Sequence, residues 1–171
     1  MRYLFSLLIR YVLAFCILVS SNLFLFVFFP LTFYTVRFLT SLFTSVLSQP
    51  PFLTLHGVTF EFVDACVAVL AYILLAVLFL LTKDLSLSDG LLLFFYGSFM
   101  IFILNILRIE LLIFLLVSFG KNYFTAAHLI LWKLLSSVFV AAVWFFLISR
   151  YRIESIPFYS DARALIRLLK H

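Results

Sequence analysis

Residues 90–109 read GLLLFFYGSFMIFILNILRI. Wound as a helix, the roughly 18 residues from Gly90 to Arg108 rise about 27 Å, close to the ~30 Å hydrocarbon core of a bilayer. No charge interrupts the run before Arg108. The stretch is therefore read as a membrane span, and the rest of the chain fits that solvent. Of 171 residues, 67% are hydrophobic and only 11% charged, against about a quarter charged in soluble domains. An ordinary soluble fold is excluded. With four Gly, four Pro and long unalternating apolar runs, the spans are expected to be helices, not barrel strands.

Working outward, the chain divides into further runs. Residues 4–29 form a first span, interrupted by Arg10 and the Ser20-Ser21-Asn22 patch and ended by Pro30. Arg2 before an apolar run suggests a signal peptide, but Arg10 and the lack of a small-residue cleavage site favour an uncleaved anchor. From Leu31 to Ser48, Arg37, Thr40, Ser41, Thr44, Ser45 and Ser48 recur at three- and four-residue spacing, which predicts an amphipathic interfacial helix. A second span with its polar stripe turned into the bundle is the alternative. Gln49-Pro50-Pro51 breaks it. Leu53-Thr54-Leu55 and Val58 to Phe62 then flank His56-Gly57 as a short β-hairpin would. Asp64 is a candidate N-cap for a span to about Thr82, with Cys66 in its first turn. The polar loop 83–89 leads back to the opening stretch, with Ser88 or Asp89 as cap. Leu111–Phe119 either continues that helix or turns back, and Gly120-Lys121-Asn122 breaks the pattern. A last span is expected from Thr125 or Ala126 to Ser149, with His128 in its first turn.

The net charge is +5, and Arg150, Arg152, Arg163, Arg167 and Lys170 crowd the C-terminal end. Positive flanks stay inside, which puts both termini in the cytoplasm. Ser160–His171 reads as an amphipathic helix on the inner leaflet. The expected fold is an all-α integral membrane protein of about four transmembrane helices, with an interfacial amphipathic helix and a short outer β-hairpin. Residues 1–150 make the transmembrane domain and 151–171 the basic tail.

On this threading Cys66, Arg108 and His128 share the outer face. A thiol, a fixed cation and an imidazole are the groups that acyl transfer through a cysteine nucleophile requires. Asn105 lies on Arg108's helix face at i−3, and Asp64 is the candidate to orient a partner. Taken singly, Cys66 is more often a small packed hydrophobe, Arg108 a snorkelling cation and His128 an interfacial residue. Arg10 and Arg37 are read as snorkelling and Cys16 as packed. Lys133 falls about one turn past His128, where it suits lipid or substrate binding. Glu61, Glu110 and His56 are outer-side candidates for supporting contacts. A metal site from His56, Glu61 and His128 lacks metal-ligand spacing, so neither metal nor cofactor is expected.

The order Asp64-x-Cys66, Asn105-x-x-Arg108-Ile109, Gly120 and His128, preceded by the hairpin, resembles the exosortase and archaeosortase family of membrane-embedded cysteine transpeptidases, over roughly residues 53 to 147. The length is closest to the small archaeal forms. Many members follow the cysteine with Ser-Gly where this chain has Val67-Ala68, and often have a small residue where it has Trp132. The resemblance implies substrates with a C-terminal motif, a transmembrane helix and a basic cluster, cleaved on the outer side. The acyl group then passes to an acceptor, often thought to be lipid; no nucleic acid is involved. It further implies Cys66 as nucleophile, His128 as proton shuttle and Arg108 as oxyanion stabiliser. The rival readings are a non-catalytic membrane subunit or assembly factor, and a small-solute transporter. Polar groups gathered at one face rather than through the centre disfavour the latter.

Overall fold

A computed structural model describes residues 2–82, 85–151 and 153, with side chains excluded at 2–4, 6 and 132–136. The helix α5 (Leu87–Phe119) is the axis of the molecule. At 33 residues it is about 50 Å long. Its cap is Ser86, one turn earlier than Gly90 implied: Ser86 Oγ accepts from the Asp89 N–H at 3.1 Å and donates to Asp89 Oδ2 at 2.5 Å. Leu111–Phe119 continues the helix. It stops at Gly120, whose φ of +84° suits a residue without a Cβ.

Before α5 come α1 (Arg2–Val19), α2 (Ser21–Ser41), strands β1 (Leu47–Gln49), β2 (Phe52–Leu55) and β3 (Val58–Glu61), the one-turn helix α3 (Asp64–Val67) and α4 (Val69–Leu81). After it, helical backbone runs through α6 (Lys121–Lys133), a π-helical segment (Leu134–Phe139) and α7 (Val140–Arg150). By length and composition α2 and α5 are able to cross a membrane, while Leu7–Val19, Val69–Leu81 and Ser137–Arg150 are shorter apolar helices. Phe15, Phe26, Leu70, Phe95, Phe99 and Phe145 are exposed on the outside, an apolar exterior that lipid solvates and water does not.

Several expected boundaries move. The first break falls at Ser20, not Pro30. Ser20 Oγ donates to Cys16 O at 2.6 Å, a local bond that competes with helix continuation. Pro30 lies inside α2; it removes one backbone bond, but Phe29 and Phe33 on either side pack into the core and hold the helix together. The interfacial helix expected over 31–48 is thus divided. Residues 31–41 finish α2, with Thr32 and Thr40 buried toward the bundle, and 47–49 become a strand. Asp64 is the first residue of α3 and not its cap, which is Val63. The span expected from Asp64 to Thr82 is broken at Ala68, φ +58° and ψ +33°. α6 starts at Lys121, so His128 sits in its third turn, not its first. The expected tail helix at 160–171 lies outside the described residues.

The sheet is antiparallel in the order β1-β2-β3. His56 and Gly57, at φ +49° and +76°, supply the two left-handed residues of a two-residue hairpin turn. Leu53, Leu55 and Phe62 bury against Phe33 and Val36 of α2 and Ile106, Ile109 and Ile113 of α5. On the opposite face Thr54 and Thr59 join hydroxyls at 2.9 Å, exposed. The sheet therefore closes one end of the bundle. Toward the other end Tyr72, Leu75, Leu93, Ile101, Val143 and Leu147 form an apolar core. There Gly97 lets α4 and α7 approach, since a Cβ would stand 2.7 Å from Leu75 Cδ2 and 3.2 Å from Leu147 Cδ1.

Candidate active site

A one-turn helix leaves its carbonyls without intrahelical partners, and burying them unpaired is costly. α3 meets this through α5. Asn105 Nδ2 donates to Cys66 O at 2.8 Å, and Arg108 Nη1 donates to Ala65 O at 3.3 Å. Arg108 Nη1 also donates to Asn105 Oδ1 at 3.2 Å. The pair sits three residues apart on one helix face, so amide and guanidinium reach the same turn. Asn105 is fully buried and Arg108 only 4% exposed. Cys66 N–H donates to Val63 O at 2.8 Å, and its half-buried thiol packs beside the cluster under the sheet. The cysteine is thus held from both sides, by its own turn and by α5.

Arg108 Nε is buried without a hydrogen-bond partner among the described residues. A guanidinium has five N–H donors, all of which seek acceptors. No carboxylate forms an ion pair with Arg108 among those residues. The bonds from Asn105 and Arg108 to the carbonyls of Cys66 and Ala65 set the cysteine's turn against Arg108. His128 approaches from α6, and its ring contact is with Phe124. No hydrogen bond joins Cys66 to His128 among the described residues.

The imidazole of His128 stacks on Phe124, one turn before it on α6, with centroids 5.6 Å apart and planes 15° apart. Phe124 in turn meets Phe60 of β3, edge-on at 6.3 Å. His128 Nδ1 is buried without a partner among the described residues. An aromatic column from β3 thus fixes the ring and leaves a nitrogen free. Phe124 and Phe60 were not singled out in the sequence, although the i−4 spacing of Phe124 from His128 is visible there.

The other candidates lie elsewhere. Asp64 is exposed and makes no hydrogen bond with the trio among the described residues. His56 Nε2 pairs with Thr44 Oγ1 at 3.0 Å. Thr40 Oγ1 donates to both Glu110 carboxylate oxygens, at 3.2 and 3.3 Å. The side chain of Lys133 lies outside the described residues. Among those described, no three His, Cys, Asp or Glu side chains converge as metal ligands would. Arg10 lines a cavity of about 600 Å³ between α1, α4 and the start of α5, walled by Phe5, Leu13, Phe79 and Phe94. That cavity is at the end of α5 away from Arg108. No family model, curated protein or solved structure matches the chain.

Proposed function

We propose that this chain is a membrane-embedded cysteine transpeptidase of the exosortase and archaeosortase type. The observation that carries the reading is the Nε of Arg108, buried and without a partner among the described residues, beside the turn that holds Cys66. A cation kept from water with an open donor is suited to a charge that appears only during reaction. His128 takes the Cys66 thiol proton as the sulfur adds to a substrate peptide carbonyl, and Arg108 stabilises the resulting oxyanion. His128 gives its proton to the departing amine as the carbon–nitrogen bond breaks, leaving a thioester on Cys66. An acceptor nucleophile, lipid in this reading, then passes its proton to His128 as it attacks the thioester, and the carbon–sulfur bond breaks to free Cys66. Ala68 adds support. It holds the left-handed conformation at the position where family members often carry Gly.

In this topology the chain crosses four times. α1 and α2 rise to the outer side, α4 returns, α5 rises again, and α6 to α7 descends to a cytoplasmic basic tail. The sheet, α3 and the site then face outward, where a substrate with a short motif, a membrane helix and a basic tail presents its scissile bond. The test is mass spectrometry of such a substrate co-expressed with the intact chain, Cys66→Ala, Arg108→Ala or His128→Ala. Cleavage by the intact chain and its loss in all three variants, at equal membrane levels, is the expected result. Cleavage that persists in Cys66→Ala contradicts the mechanism and favours a non-catalytic subunit.

A further inference from the structure

β3 is an edge strand, and its main chain is only half used. In an antiparallel pair, residues alternate between exchanging backbone bonds with the partner and pointing them away. Phe62 N–H donates to Pro51 O at 2.9 Å, and the register pairs Phe60 with Leu53 and Val58 with Leu55. Val58, Phe60 and Phe62 therefore face β2, whereas Thr59 and Glu61 turn their N–H and C=O groups to the open edge. That edge runs into Cys66 five residues past Glu61. Two rings, Phe60 and Phe124, connect it to His128. Its end carries two exposed carboxylates, Glu61 and Asp64, without an ion pair among the described residues.

We infer that the substrate docks as a fourth strand on the free edge of β3, an extended peptide whose backbone pairs with Thr59 and Glu61 and whose cationic side chains suit Glu61 and Asp64. Strand addition draws affinity from main-chain bonds and lets side-chain sequence vary at alternate positions. It also aligns the scissile carbonyl along a fixed line toward the thiol. This inference rests on the transpeptidase reading.

The sheet supplies its own control. In β1, Leu47 pairs with Thr54, Ser48 with Leu53 and Gln49 with Phe52. Leu53 directs its main-chain groups to β3, so Ser48 turns its N–H to the far edge, as Thr59 does to the near one. Thr59→Pro and Ser48→Pro each remove an N–H that the sheet does not use, a change edge strands tolerate. Thr59→Val, which loses the same Thr54 hydroxyl bond but keeps the N–H, serves as the side-chain control and is expected to leave cleavage unchanged. The probe is a library of model substrates, each carrying roughly six randomised residues before an apolar helix and a basic tail, co-expressed with the full chain. Cleavage by the intact chain and by each variant is read by mass spectrometry at matched membrane levels.

Thr59→Pro is expected to lower cleavage at least about tenfold, with Ser48→Pro unchanged. Equal cleavage in Thr59→Pro, or equal loss in Ser48→Pro, overturns the docking strand. A second measurement leaves the chain intact: proline scanned through a cleaved substrate is tolerated at every other position if the peptide binds as a strand, and the absence of that alternation overturns the proposal. Cys66→Ala in parallel separates the two ideas. Cleavage that requires Cys66 but ignores Thr59 defeats the strand alone, while cleavage that ignores Cys66, or no cleaved product across the library, defeats both.

Discussion

The two ends of the bundle bury polarity in different ways. At the end away from the sheet, α4, α5 and α7 meet through aliphatic and aromatic side chains, with Phe28 stacked on Tyr72 at 3.7 Å and Gly97 allowing close approach. The buried polar atoms there that have no partner among the described residues, on Tyr72, Ser98 and Trp144, belong to neutral and separate groups. At the sheet end a guanidinium, an amide and a thiol-bearing turn share one hydrogen-bonded cluster, and the open donor is on the cation. The first arrangement holds helices together. The second holds a buried charge without a counter-charge among the described residues, which is costly for stability; in the proposed reaction that cost is what makes it useful.

Substitutions at each end should separate these roles. Arg108→Lys keeps a charge but loses the fork that reaches Ala65 O and Asn105 Oδ1 together. We expect cleavage to fall about 10² to 10³-fold in a membrane assay, with the protein still folded. Gly97→Leu tests the other end: a side chain forced against Leu75 and Leu147 should cost about 3 kcal/mol. A thermal melt in detergent would register it, and activity per folded molecule should be retained. Asn105→Ala leaves Cys66 O unpaired and frees the guanidinium to swing. A cost of about 2 kcal/mol is expected, together with an altered alkylation rate at Cys66; unchanged alkylation would deny the amide its positioning role. Ala68→Gly is the smallest effect and has the opposite sign. Removing a Cβ from the left-handed region should raise stability by about 1 kcal/mol, read as a higher Tm.

The sequence carried the parts that depend on composition and on local turn chemistry. A helix over the apolar run of α5, a break at Gly120 and the His56-Gly57 hairpin were legible, because each follows from a periodicity or from a residue that permits positive φ; whether 111–119 continue the helix, as they do, or turn back was not. The pairing of Asn105 with Arg108 was legible as a shared face, but their use in capping α3 was not, since nothing local announces that the helix carrying Cys66 ends after one turn. Ala68 gives no signal of a left-handed break. The strand at Leu47–Gln49 was hidden for another reason: Ser and Thr at three- and four-residue spacing imitate an amphipathic helix, and only the partner strand across Pro50-Pro51 decides otherwise. Pro30 misled in the opposite sense, because the packing of Phe33, buried, and Phe29, half-buried, on its two flanks overrides a local breaker.

The most direct test of the central claim is to look for the covalent intermediate. Membranes holding the full chain and a cleaved substrate are quenched in acid, and the peptide containing Cys66 is weighed. The account predicts a thioester on Cys66 bearing the substrate's amino-terminal fragment, absent from Cys66→Ala and scarce in Arg108→Lys. Cleaved substrate alongside an unmodified Cys66, with the same yield from Cys66→Ala, would contradict it.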